Sequence, residues 1–136
     1  MIYLDSAAVV KLVRQEAHSA ELVVWLNEHH DVPLVSSALV EVEVPRALRR
    51  SAPQALVGVP VAVGRLFRLE IDATIRATAA AFTEPALRGL DAIHLATAQV
   101  LAHESDAALT AFVTYDKRLL ASAQTAGLPT ASPGQD

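Results

Sequence analysis

Short apolar runs alternate along the chain with longer stretches in which apolar residues recur every three or four positions, a strand-then-helix rhythm. Met1-Ile2-Tyr3-Leu4 is β-like and stops at Asp5, after which Ala8, Val9, Leu12 and Val13 fall at helical spacing. Ser19 is of N-cap type for a second helix, with Leu22, Val23, Trp25 and Leu26 on its apolar face and His29 and His30 near its end. Pro33-Leu34-Val35 predicts the next short strand. Ser36 or Ser37 would cap a third helix reaching about Arg50, in which Pro45 either introduces a kink or belongs to the first turns.

Ala52 to Leu66 has helical composition interrupted by Pro53 and Pro60, and Phe67-Arg68-Leu69-Glu70-Ile71 alternates as a half-buried strand does. Ile75, Ala79 and Phe82 mark a helix that closes before Pro85. Gly89-Leu90-Asp91 leads into the clearest helix of the chain, with Ile93, Ala96, Val100 and Leu101 toward a core, ending near His103. Ala111 to Tyr115 predicts a strand that stops at Asp116. Leu119, Leu120 and Ala123 then continue as a helix terminated by Gly127, and Leu128 to Ala131 adds an edge strand. Strands separated by one or two helices are joined by crossovers and therefore lie parallel. The expected fold is α/β: a single three-layer α/β/α domain over residues 1–131, with a short, mostly parallel central sheet flanked by helices and a polar tail at 132–136.

Composition narrows the classes of function. The 136 residues are 52% hydrophobic and 19% charged with five glycines, which excludes disordered and collagen-like chains. The absence of cysteine excludes disulfide frameworks, thiolate catalysis and Cys-ligated metal centres. The N-terminus lacks a basic segment and meets Asp5 too early for a secretory signal, and the uncharged stretches Ser51 to Gly64 and Leu119 to Gln135 are too short to span a bilayer. A cytoplasmic protein with no membrane partner is expected. Fifteen acids against eleven bases give a net charge of −4, so any nucleic-acid site must be a local basic patch.

The carboxylates carry the candidate chemistry. Ligands of open α/β sheets bind beyond the carboxyl ends of the strands, where Asp5 and Asp116 fall. Asp91 near the start of the clearest helix and Glu43 inside the third helix can reach the same crevice. Such a cluster of like charges calls for a cation, and oxygen-only ligands suit Mg²⁺ or Mn²⁺, which can activate water and offset charge on a phosphodiester. Each acid also has a plain structural reading: helix caps for Asp91 and Asp116, a turn residue for Asp5, a solvated surface acid for Glu43. Arg46 and Arg50 share a helical stripe with Glu43, and Lys117 and Arg118 flank Asp116; all four are candidate phosphate contacts or, equally, surface pairs. His94, one turn after Asp91, is expected to pack or support instead of ligating.

Tyr3-Leu4-Asp5-Ser6-Ala7, Leu90-Asp91-Ala92-Ile93-His94-Leu95-Ala96-Thr97-Ala98 and Val113-Thr114-Tyr115-Asp116-Lys117-Arg118-Leu119 resemble PIN-domain ribonucleases, in particular VapC-type toxins of toxin–antitoxin pairs. Val35-Ser36-Ser37-Ala38-Leu39, running on to Glu43-Val44-Pro45-Arg46-Ala47-Leu48-Arg49-Arg50, resembles the family's second acidic motif, with Pro45 as a departure. The resemblance implies a PIN-like fold and a metal-dependent endoribonuclease whose acidic pocket is Asp5, Glu43, Asp91 and Asp116, with Ser6 and Thr114 as assisting hydroxyls. Glu41 is the rival of Glu43, which fits the motif's offsets better; the two lie about 200° apart around a helix. One or two Mg²⁺ or Mn²⁺ ions, an RNA substrate, a cognate antitoxin that blocks the pocket, and a toxin homodimer within a heterotetramer or larger complex are likewise implied. Two other classes compete. A receiver-like phosphoacceptor domain needs an acidic pair after the first strand, where this chain has Asp5-Ser6-Ala7-Ala8. A non-catalytic PIN-fold binding module would not need all four acids.

Overall fold

The first strand, β1 (Ile2–Leu4), lies at the centre of the sheet, and its alternating side chains divide the interior in two. Ile2 and Leu4 enter one apolar cluster and Tyr3 the other, all three at 0% exposure. The computed structural model describes residues 1–135; Asp136, the last residue of the expected polar tail, lies outside the described residues. After β1 come α1 (Ser6–Val13), α2 (Ser19–Glu28), β2 (Leu34–Ser37), α3 (Val40–Ser51), a 3-10 turn (Pro53–Gly58) and α4 (Val59–Gly64). Then follow β3 (Phe67–Leu69), α5 (Ala73–Ala80), α6 (Gly89–Glu104), β4 (Ala111–Val113), α7 (Lys117–Thr125) and β5 (Thr130–Ala131). The strand order is β3-β2-β1-β4-β5 and every pairing is parallel, so the expected mostly parallel sheet is wholly so among the described residues.

The layer on Ile2 and Leu4 is built from α1, α2, α3 and α4 through Val9, Leu22, Val40, Val44, Leu48 and Val63. The opposite layer packs Leu95 and Ala98 of α6 and Leu119 and Ala123 of α7 on Tyr3, Val35 and Phe112, with α5 lying against α6. Spacing by four puts Val40, Val44 and Leu48 of α3 on one buried face. No helix among the described residues is long and apolar enough to cross a membrane.

Several helix ends differ from the sequence expectation for local reasons. Ser19 is the first residue of α2 and not its cap: His18 holds that position in a left-handed conformation (φ 68°). The Ser19 hydroxyl instead closes the preceding turn, accepting from Glu16 N at 3.0 Å and donating to Arg14 O at 3.2 Å. Ser36 and Ser37 belong to β2, and Leu39 stands at the start of α3. Ser36 is buried and donates to Leu4 O across the sheet at 2.6 Å, while Ser37 accepts from Leu39 N at 3.1 Å and folds the strand into the helix. Asp91 is no cap either, because Arg88 occupies the cap position of α6. Pro45 is the sixth residue of α3, early enough for the helix to continue through it to Ser51. β3 is shorter than the alternation of 67–71 implied, and as an edge strand it leaves Phe67 68% exposed. Gly127 follows α7 with φ +82°, the left-handed geometry that ends a helix. Residues 132–135 lie against the end of β4: Ser132 donates to Thr114 O, the Tyr115 hydroxyl to Pro133 O, and the Gln135 amide to Tyr115 O.

Leu95 of α6 is fully buried against the sheet. Leu95→Ala is expected to destabilise the fold by about 2–5 kcal/mol, read as a lower urea midpoint at unchanged m-value.

Candidate acidic active site

Parallel pairing brings the carboxyl ends of β1 and β4 side by side, so the residues that follow them meet. Asp5 caps α1 and Asp116 caps α7, each through its own side chain: Asp5 Oδ1 accepts from Ala8 N at 2.8 Å, Asp116 Oδ1 from Arg118 N at 2.8 Å and Leu119 N at 3.1 Å. The capping role and membership of the acidic cluster coexist in the same residues. Asp5 is 4% exposed. Its second oxygen accepts from the Thr114 hydroxyl at 2.6 Å, and Thr114 Oγ1 in turn accepts from Asp116 N at 3.1 Å, which ties the two acids to one another.

Glu43 arrives from α3 and is met by Ser6 of α1 and His94 of α6. Ser6 Oγ donates to Glu43 Oε1 at 2.7 Å, and His94 Nε2 lies 2.8 Å from the same oxygen. Glu41, the rival on the same helix, points elsewhere and pairs with Arg68 at 3.3 Å on the surface. Asp91, on the first turn of α6, accepts no hydrogen bond from the described residues. It lines a pocket of about 390 Å³ with Asp116, Arg88, Lys117 and Arg118.

The electrostatics of the acids oppose one another. Burial pushes the Asp5 carboxyl up, and nearby Asp116 adds to this against the lowering influence of His94, Thr114 and Ala8 N. Asp91 is raised first by burial and then by the charges of Asp116, Asp5 and Glu43. Glu43 goes the other way: burial raises it, but hydrogen bonds from His94 and Ser6 prevail and hold it below the usual range. Among the described residues no Lys or Arg forms an ion pair with any of the four acids; His94 with Glu43 is the one such contact.

Every donor here is an oxygen, and the mutual repulsion felt at Asp91 is of the kind a divalent cation relieves. No group of three His, Asp or Glu side chains among the described residues is drawn together as a ready-made cage. Oxygen donors of this kind suit a hard cation such as Mg²⁺. The basic candidates divide. Lys117 and Arg118 reach the pocket; Arg46 and Arg50 stand exposed on α3 outside its lining. Arg88 is a residue that the sequence pattern does not single out. It lines the pocket from the cap of α6, its signal being a position three residues before Asp91. His94, expected to pack or support, is buried and supports Glu43, a partner that depends on tertiary structure.

The PIN domain model matches residues 2–125, from β1 to the end of α7, and the chain belongs to the PIN-domain family. Within that family its relatives are of the VapC group. The chain is 52% identical over 135 residues to Ribonuclease VapC35 of Mycobacterium tuberculosis, a match covering 99% of this chain and 98% of the relative. It is 40% identical to Ribonuclease VapC46 over 97% of each chain, and 36% identical to Ribonuclease VapC47 over 98% of each, both from the same species. No solved structure matches the chain.

The opposed shifts give opposed pH dependences. Because the folded pKa of Asp91 is raised, its contribution to stability is full below the unfolded value, about 3.9, and is lost as pH rises through the folded value. Asp91→Asn is therefore expected to raise Tm by a few degrees at pH 7, the gain vanishing toward pH 4. Glu43, lowered, stabilises above its unfolded value of about 4.3, so Glu43→Gln is expected to lower Tm at pH 7. Melting curves at both pH values check the pair.

Proposed function

We propose that the chain is a Mg²⁺- or Mn²⁺-dependent endoribonuclease and the toxin of a type II toxin–antitoxin pair, acting in the cytoplasm. The observation that carries this is a cluster of four acids from four separate segments, Asp5, Glu43, Asp91 and Asp116, unpaired by Lys or Arg, in a chain 52% identical to a protein named a VapC ribonuclease. Asp91 and Asp116 face the pocket and would hold the ion directly, with Asp5 and Glu43 completing the negative field around it. A bound Mg²⁺ or Mn²⁺ supplies a nucleophilic water at neutral pH and offsets charge growing on the phosphodiester.

The protein's own groups do the rest. Thr114 and Ala8 N hold Asp5 in place, and Ser6 and His94 hold Glu43. Arg88, Lys117 and Arg118 bind the RNA backbone at the pocket, and Arg46 and Arg50, exposed on α3 outside its lining, are further phosphate contacts. Against a net charge of −4, such a confined patch selects where the strand lies without making the whole surface adhesive. A cognate antitoxin that covers the pocket, and a toxin homodimer within the larger complex, follow from the same reading.

Incubating total RNA with the purified protein and Mg²⁺ or Mn²⁺, then mapping new 5′ ends, tests the activity. Discrete ends that vanish with EDTA are expected, and Asp91→Asn is expected to cut the rate by about 100-fold or more. Cleavage persisting in either control would overturn the assignment. For the basic patch, Arg88→Ala is expected to weaken binding of single-stranded RNA and reduce the slope of log K against log salt by about 0.7.

A further inference from the structure

His94 touches the acidic cluster from inside the core. It is 2% exposed, and both ring nitrogens are engaged. Nδ1 lies 2.8 Å from the Tyr3 hydroxyl, and Nε2 lies 2.8 Å from Glu43 Oε1 and 3.1 Å from Ser6 Oγ. Tyr3 approaches the imidazole edge-on, with ring centroids 5.9 Å apart at 78°, and is itself stacked on Phe112 at 5.2 Å and 8°. Three elements thus meet in a line from the centre of the sheet to α3.

The directions of the protons follow from the neighbours. The other hydroxyls around Tyr3 donate to backbone: Ser36 to Leu4 O at 2.6 Å and Thr97 to Ile93 O at 2.7 Å. Those hydroxyls can still accept from Tyr3, so the direction is set from the other end: an ionised carboxylate only accepts, and the 2.8 Å contact of His94 Nε2 with Glu43 Oε1 puts a proton on Nε2. A neutral ring with its proton at Nε2 leaves Nδ1 to accept, and the Tyr3 hydroxyl stands 2.8 Å from it. Ser6 donates to the same oxygen, Oε1. Oε2 of Glu43 receives no hydrogen bond from the described residues. Two donors on one oxygen fix the rotation of the carboxylate and leave the other oxygen for the site.

We infer that Tyr3 and His94 are positioning residues: Tyr3 locks His94 in its Nε2–H form, and His94, with Ser6, clamps Oε1 of Glu43 so that Oε2 serves the reaction. This rests on the nuclease reading above for its effect on rate, but not for the tautomer. A purely apolar core would pack equally well on Phe112 and Leu95, whereas a buried relay holds one geometry at the carboxylate.

The test has two readouts. Long-range ¹H–¹⁵N spectra of the wild type, without RNA, are expected to show His94 as a single Nε2–H tautomer, and Tyr3→Phe, which keeps the ring stacked on Phe112, is expected to lose that uniformity. In RNA cleavage with Mg²⁺ or Mn²⁺, Tyr3→Phe and His94→Leu are expected to lower kcat by about 10- to 100-fold at nearly unchanged KM. His94→Gln, whose amide N–H can still reach Glu43, is expected to recover part of the loss. An Nδ1–H or doubly protonated ring in the wild type, wild-type kcat in Tyr3→Phe, or equal losses for Leu and Gln would overturn the inference. A wild type that cleaved no RNA would sink the nuclease reading instead, while the tautomer still decided whether the clamp exists.

Discussion

Everything in this domain is arranged around one three-residue strand that is hydrogen-bonded on both sides and covered on both faces. Because β1 has parallel neighbours left and right, every strand delivers the chain to the same edge of the sheet, and the loops that follow must share that edge. Because its side chains alternate, the same strand places Ile2 and Leu4 in one layer and Tyr3 in the other. The acidic residues are thus gathered by backbone geometry before any attraction between them is needed, which matters because they repel.

That repulsion is handled unequally. Asp5 is deeply buried and wrapped in donors, Glu43 is held low by His94 and Ser6, and Asp91 has neither a hydrogen-bond donor nor an ion-pair partner among the described residues. The least supported carboxylate is the one that opens to the pocket beside Arg88, Lys117 and Arg118. A fold that satisfied all four acids internally would be more stable and would have nothing left to offer a cation or a phosphate. The unmet demand at Asp91 is a local cost in stability carried at the pocket.

Much of this was legible in the sequence. Asp5 and Asp116 were placed by the rule that strand ends carry function, and the crossover pattern predicted parallel strands and three layers. Glu43 is preferred over Glu41 for its fit to the offsets of the family's acidic motif; in the structure Glu43 lies against His94 and Ser6, and Glu41 pairs with Arg68. The failures are local and share a cause. Ser19, Ser36 and Ser37 are good capping residues by type, but a serine caps only when its own backbone stands at the helix boundary. Ser36 sits in a buried strand, where its hydroxyl finds Leu4 O instead. Arg88 and the partners of His94 could not be read because spacing along the chain does not show which groups meet across it.

The pairing of β1 with β4 joins Ile2 to Ala111, contacts that no local segment can make by itself. Chains dominated by such distant pairings fold slowly, since loop closure must precede any gain from the strands it unites. The acidic site inherits this property: with its members scattered over β1, α3, α6 and the end of β4, no early intermediate or proteolytic fragment contains enough of it to act. The site exists only once the whole sheet has closed.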